Sequence, residues 1–214
     1  MTEKQSETEG KIVAAASIVS GGTFLSRILG FLRDMLFAKI LGASLAADAF
    51  YVAYRIPNLL RELFAEGSMS AGFIPVFTEY LKKQSREETR RLVCSVFTAL
   101  FLLLVVIVGI GIMFAPWILM LIAPGFVDHP HLFQLTTTLT RIMFPFLLFI
   151  SLAALTMGIL NSTRHFGPPA LSPAVFNIVM ILFILFPFYF EPVVAAAIGV
   201  VVGGLLQWAM QCPA

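Results

Sequence analysis

The stretch LVCSVFTALFLLLVVIVGIGIMFAPWILMLIA, from Leu92 to Ala123, contains no charged residue. A helix of about 20 apolar residues crosses the hydrocarbon core of a bilayer, and this run is longer. The composition of the whole chain also indicates a membrane protein, because 59% of the 214 residues are hydrophobic, 12% are charged, and the mean hydropathy is +0.93. Soluble domains carry about 25% charged residues. The sequence therefore predicts an all-α integral membrane protein, since the short alternating segments typical of a β-barrel do not appear.

Helix-breaking residues and polar segments divide the chain into six predicted membrane spans. Residues 1–11 are predicted to form a polar tail, and residues 12–214 a single transmembrane unit. The second span is expected to bend or break around Pro57 and again at Gly67, and a short amphipathic segment at 69–81 follows it. The six spans are placed at 12–40, 46–66, 92–115, 136–160, 170–187 and 193–210.

The basic residues outside the spans lie in alternate connections. Lys and Arg are found before the first span, between the second and third, and between the fourth and fifth, whereas the other connections carry essentially none. Because basic loops remain on the cytoplasmic side, this pattern predicts that both termini are cytoplasmic.

The charges inside the first two spans are the informative residues. Each such charge at mid-bilayer costs about 2.5–3.5 kcal/mol on insertion scales. Internal ion pairs or a hydrated cavity must therefore compensate. The charged residues are Arg27, Arg33, Asp34 and Lys39 in the first span, and Asp48, Arg55, Arg61, Glu62 and Glu66 in the second.

Helical periodicity places many of these residues in stripes. At about 100° per residue, one arc of the second span contains Asp48, Tyr51, Arg55, Asn58, Glu62 and Glu66. In the first span Ser20, Arg27 and Asp34 recur every seven residues and share a side. Arg33 and Arg61 fall about 100° away from these stripes. Two neighbouring helices with polar stripes predict the walls of a water-accessible cavity.

Other placements of these charges stay open at this point. Arg61, Glu62 and Glu66 also suit the cytoplasmic end of the second span, and Lys39 suits the opposite interface, where a long side chain reaches water. An Arg27–Asp34 or Arg55–Asp48 pair is a structural alternative. Arg141 fits either an interface or the same cavity.

The residue types in the cavity favour an anionic ligand. Arginine is always charged, and its planar fork of donors suits phosphate and carboxylate. The three histidines, His129, His131 and His165, fall in loops, and no protease or metalloenzyme motif is present. We therefore expect no enzyme, metal, cofactor or nucleic-acid partner. GVVVG, from Gly199 to Gly203, fits the helix-packing pattern of small residues.

Four segments resemble the MurJ/MviN family of the MOP exporter superfamily. The most specific is SRILGFLRDMLFAKILGASLAADAFYVAYRIPNLLRELFAEGSMSAGFIPVFTEY, from Ser26 to Tyr80. The others are APWILMLIAPGF, FPFLLFISLAALTMGILNS and ALSPAVFNI, which begin at Ala115, Phe144 and Ala170. The resemblance implies a lipid II flippase of the bacterial inner membrane. Such a protein moves the undecaprenyl-diphosphate-linked peptidoglycan precursor to the periplasmic leaflet through a cationic cavity between two MATE-like lobes.

The resemblance also assigns roles to residues. Arg27, Arg33 and Arg61 match family positions that would face the diphosphate, and Asp48 matches one that would orient them or take part in gating. Asp34, Arg55 and Asn58 join Asp48 as expected orienting or gating residues. The expected partners are lipid II and membrane lipids.

The chain ends in or just after the sixth predicted span, so the resemblance implies the N-terminal lobe only. The missing C-terminal lobe is then also an expected partner, and a fragment is the preferred interpretation. Two rival functions are export of a polysaccharide-lipid or a drug within the same superfamily, and a non-transporting membrane scaffold whose charges form buried ion pairs.

Overall fold

The computed structural model describes residues 3–62, 72–187 and 190–212. Within these ranges the chain is helical and contains no strand, which confirms the predicted all-α class. A short 3₁₀ turn, Pro124–Phe126, lies between the fifth and sixth helices. The α-helices are α1 Glu3–Leu41, α2 Leu45–Arg61, α3 Ile74–Lys83, α4 Arg86–Met113, α5 Ala115–Ile122, α6 Pro130–Met143, α7 Phe146–Ser162, α8 Gly167–Leu185 and α9 Pro192–Ala209.

The first helix is much longer than its predicted span. It has 39 residues and begins at Glu3, so most of the predicted polar tail is helical. Glu, Lys and Gln are good helix formers and continue the helix beyond its apolar part. At about 1.5 Å per residue the helix is about 58 Å long. It ends before Gly42, whose φ of 58° allows the chain to reverse, and Ser44 caps α2 by accepting from the N–H of Ala47.

Prolines divide the apolar stretches into shorter helices. The long run at Leu92 is two helices, because α4 ends at Met113, close to the predicted end of the third span at residue 115, and α5 starts afresh with Pro116 in its first turn. Pro145 likewise separates α6 from α7 inside the predicted fourth span. Proline suits the first turn of a helix, where its missing N–H would be unpaired. By contrast, α2 continues through Pro57, and Gly67 lies outside the described residues.

Polar caps account for the early start of α4. The helix begins at Arg86, six residues before the predicted span. Ser85 accepts from the N–H of Glu88, and the Glu88 carboxylate accepts from the N–H of Ser85 at 3.0 Å. This reciprocal capping box stabilises the end of the helix. The basic segment before the predicted third span is therefore helix, interrupted only at Gln84 and Ser85.

Helix packing places α8 between α1 and α9. One side of α8 carries α1 and another carries α9, while α2 packs mainly on α6. Gly199 of α9 lies against Phe183, and Gly203 against Phe176, so closely that a Cβ would clash with either ring. The small-residue pattern of α9 therefore serves packing within the chain, as predicted. The main core contains Phe50, Leu139, Phe146, Phe176 and Val200.

Four helical stretches in the described ranges are long and apolar enough to cross a membrane. The chain is thus an integral membrane protein, and the predicted number of six spans is approximate. One of the four stretches, Pro130–Ser162, covers both α6 and α7. The stretches are Arg86–Met113, Pro130–Ser162, Gly167–Leu185 and Pro192–Ala209.

Candidate functional site

The polar stripe of α2 lies on the side of the helix that is not packed. Asp48, Tyr51, Arg55 and Glu62 are exposed and Asn58 is half-buried. The opposite side carries the buried residues Ala49, Ala53, Ile56 and Pro57, which face the bundle. The sixth member of the predicted stripe, Glu66, lies outside the described residues. The polar stripe is therefore largely exposed, although Tyr51 also contacts the ring of Phe37 on α1.

The charges of α1 divide between two faces. Arg27 and Asp34 are exposed, as the seven-residue spacing predicts. Arg33 is only half-buried and shares the side of Gly22, Ser26 and Gly30, which faces α8. One residue step turns a helix by about 100°, which is why neighbours Arg33 and Asp34 face different surroundings.

A buried amide on α8 receives the Arg33 side chain. Nη1 of Arg33 donates to Oδ1 of Asn177 at 2.9 Å. Nδ2 of Asn177 donates back to α1, to the carbonyl of Ser26 at 3.0 Å and to the Ser26 hydroxyl at 3.4 Å. Asn177 is 6% exposed. The sequence interpretation missed this residue, although a single asparagine in an otherwise apolar helical segment is a usable signal, because a buried amide requires partners.

Asp34 pairs with Arg33 and not with Arg27. Nε and Nη2 of Arg33 both donate to one carboxylate oxygen of Asp34, at 3.0 and 2.8 Å. The side chain of Asp34 is 65% exposed, so this pair is not sealed in a dry interior. Within the described ranges, no ion pair joins Arg27 to Asp34 or Arg55 to Asp48. The alternative of two structural pairs is therefore wrong for these partners.

Arg61 lies at the end of α2, off the exposed stripe. Its Nε donates to Oδ1 of Asn58 at 3.0 Å, and its Nη2 is 3.8 Å from a carboxylate oxygen of Glu62. The side chain is 25% exposed. Arg61 also lines a cavity of about 490 Å³ between the ends of α2, α7, α8 and α9, where Gln207 and Gln211 are further polar groups.

Tyr54 of α2 lies at the junction of three helices. Its ring stacks on Phe50 and lies against Phe146. Tyr54 also lines a small pocket of about 60 Å³ together with Arg33 and Asp34, where α1, α2 and α8 meet. Arg33 of α1 and Arg61 of α2 therefore line two different cavities of the bundle.

Two remaining charges lie elsewhere. Lys39 is exposed near the end of α1. Nε of Arg141 donates to the carbonyl of Ile112 at 3.2 Å, so this arginine satisfies the last turn of α4, where a cation is favourable. In the described part of the chain, no three His, Cys, Asp or Glu side chains are grouped as a metal site would require.

Comparison with known proteins was made on sequence and on structure. A model of the family described as Lipid II flippase MurJ matches residues 37–214. This chain belongs to that family. The Lipid II flippase MurJ of Burkholderia cenocepacia is 44% identical over 197 residues, and the match covers 91% of this chain and 38% of that protein. A protein of Buchnera aphidicola named "Probable lipid II flippase MurJ" is 44% identical over 199 residues, covering 91% and 39%.

The MurJ fold is also shared. A solved structure titled "Lipid II flippase MurJ, inward closed conformation" matches with a TM-score of 0.77 and 34% identity, over 91% of this chain and 41% of that one. The chain thus spans about two fifths of the length of the MurJ proteins that it matches. It has the fold of one part of a MurJ protein, as expected for one lobe.

Proposed function

We propose that this chain forms the N-terminal lobe of a lipid II flippase in the bacterial inner membrane, with its N-terminus in the cytoplasm. The lobe would act with a C-terminal lobe and surrounding membrane lipids to move the undecaprenyl-diphosphate-linked precursor by alternating access. In this function the protein is a transporter, and its residues bind and release the precursor without making or breaking its covalent bonds.

The observation that carries the proposal is that arginines from two helices line cavities of the helix bundle. Arg33 lines the pocket where α1, α2 and α8 meet, Arg61 lines the larger cavity beside α7, α8 and α9, and Arg27 is exposed six residues before Arg33 on the same helix. A diphosphate carries several oxygen acceptors, and guanidinium groups bind such oxygens with charge-assisted hydrogen bonds. In this proposal Arg27, Arg33 and Arg61 bind the diphosphate.

The carboxylates and amides near these arginines have a different role in the proposal. Asp34 and Asn58 already accept hydrogen bonds from Arg33 and Arg61, so they orient the guanidinium groups. Asp48 and Arg55 are exposed on the polar stripe and are free to pair with an opposing lobe when the cavity changes its access. A scaffold held by buried ion pairs is less well supported, because the Arg33–Asp34 pair has a largely exposed carboxylate.

The test uses a complete transporter. This chain is joined to the remaining C-terminal part of the Burkholderia cenocepacia protein, and the chimera is expressed in cells depleted of their own flippase. We expect lipid II to reach the outer leaflet with the chimera, and Arg27→Ala, Arg33→Ala or Arg61→Ala to abolish this at unchanged membrane levels. Lys82→Ala is the matched control, because Lys82 is exposed and distant from the stripe in sequence. Unchanged translocation by all three arginine variants would refute the proposal.

A further inference from the structure

Burial of the Asn177 side chain costs free energy unless its amide groups are hydrogen-bonded. It lies in the middle of α8 among apolar residues, and Ser172 is the other polar side chain buried on this helix. An amide without partners inside an apolar region costs free energy. All of the hydrogen bonds that the Asn177 side chain makes within the described residues go to α1.

The orientation of the Asn177 amide follows from its partners. A backbone carbonyl only accepts, so the nitrogen must face Ser26 and the oxygen must face Arg33. The amide also lies beside Gly30, where a Cβ would be 3.6 Å from the Asn177 amide nitrogen, an ordinary van der Waals contact. The amide therefore fits closely against α1 between Ser26 and Arg33, and its oxygen can accept from the arginine without turning.

Arg33 is held from two sides and still has donors to spare. A guanidinium has five N–H donors. Nε and one N–H of Nη2 bind Asp34, and one N–H of Nη1 binds Asn177. Two N–H groups thus have no partner among the described residues. Asp34 alone would not fix the guanidinium, because its side chain is mostly exposed and lies on the adjacent flank of the same helix.

We propose that Asn177 is a positioning residue, which holds the Arg33 guanidinium beside α8 so that its two remaining donors meet an oxygen of a diphosphate. This inference rests on the proposed function, because it names how one arginine of that site is oriented. Asn177 itself does not contact the ligand. Its effect on ligand binding must therefore depend on Arg33, whereas a merely structural residue would act whether or not Arg33 were present.

The first measurement is independent of ligand. The full chain is labelled with ¹⁵N-arginine and placed in nanodiscs, and the signal of the Arg33 Nη1–H proton, which donates to Asn177, is assigned by its loss in Arg33→Lys. We expect Asn177→Leu to accelerate exchange of this proton with water by about tenfold, which corresponds to one lost charge-assisted hydrogen bond. Leu139→Ala is the control, because Leu139 is fully buried in α6, a helix that packs mainly against α2, so its loss destabilises the core away from Asn177. An unchanged exchange rate in Asn177→Leu would overturn the proposal.

The second measurement uses undecaprenyl diphosphate as the probe in the same nanodiscs. We expect Asn177→Leu to weaken binding about tenfold when Arg33 is present, and to have no further effect in an Arg33→Ala background. Equal weakening in both backgrounds would show a structural role and overturn the proposal. Asn177→Ala serves as the second variant if the leucine prevents insertion.

The two measurements separate the two proposals. Absence of probe binding in the unmodified chain, together with fast exchange only in Asn177→Leu, contradicts the proposed ligand and leaves the Asn177–Arg33 contact supported. If the Arg33 proton exchanges slowly in both the unmodified chain and Asn177→Leu, and the probe binds normally, the positioning role is removed and the proposed function remains.

Discussion

Gly22 of α1 lies directly against Ala170 of α8, so that a Cβ built on Gly22 would come within 2.6 Å of the Ala170 carbonyl oxygen. A backbone atom cannot move aside as a side chain can. This contact therefore sets how closely α1 and α8 approach, and it places Ser26, Gly30 and Arg33, further along the same face, within reach of Asn177.

The first prediction concerns this contact. Gly22→Ala should separate the two helices and lower stability by about 1–3 kcal/mol, as for other overpacked sites. The neighbouring Gly21→Ala is a matched control, because no atom lies within 4 Å of its Cβ position. It should raise stability by about 0.5–1 kcal/mol, since alanine favours helix. Thermal unfolding in detergent compares the two, and equal shifts would contradict the close approach.

The second prediction concerns water at the polar stripes. Cysteine reacts with maleimides as the thiolate, which requires water. Single cysteines at Arg27, Asp48 and Arg55 should therefore be labelled by a membrane-impermeant maleimide in intact membranes. Cys94 and Cys212 are both exposed and must first be replaced by serine.

Two controls separate water access from mere exposure. Ala53 is fully buried, so cysteine there should remain unlabelled. Ile28 is 50% exposed but belongs to an apolar part of α1, and cysteine there should face lipid and also resist labelling. Labelling at Ile28 as fast as at Arg27 would mean that α1 has no distinct wet side.

The third prediction concerns the beginning of α4. Ser85→Ala removes the side chain that caps the N–H of Glu88 and should cost about 1 kcal/mol of local stability. Amide hydrogen exchange in the first turn should accelerate accordingly. Ser95→Ala is the control, since Ser95 is exposed inside the same helix and alanine there should not weaken it. Equal exchange in both variants would argue against the capping box.

The fourth prediction concerns the end of α7. Arg164 has a φ of 66°, and the N–H of His165 reaches back to the carbonyl of Leu160 at 2.8 Å. This is the Schellman arrangement, in which glycine is the favoured residue. Arg164→Gly should therefore raise stability by up to about 1 kcal/mol.

The control for that change is the preceding residue. Thr163 has a φ of −93°, which suits any residue, so Thr163→Gly should lower stability through the greater freedom of the unfolded chain. Thermal unfolding decides between the two, and a loss of stability in Arg164→Gly would contradict the left-handed conformation.

Much of the fold was predictable because the hydropathy of a short segment indicates whether it forms a membrane helix. The apolar run at Leu92, the small residues Gly199 and Gly203, and the exposed stripe of α2 all follow from hydropathy and helical period. The helix break at Pro145 was missed, because a proline that starts a helix and one that lies within it, such as Pro57, are told apart only by the packing around them.

The candidate site likewise combines features that the sequence predicts with features that depend on helix packing. The sequence by itself determined that Arg27 and Asp34 share a side of their helix and that Arg33 does not, because angles around one helix depend only on spacing. Only the tertiary structure decided that the side of Arg33 faces α8, that Asn177 meets it there, and that Asp34 pairs with its neighbour rather than with Arg27. The contact of Arg33 with Asn177 joins residues 144 positions apart, and local periodicity does not encode such a contact.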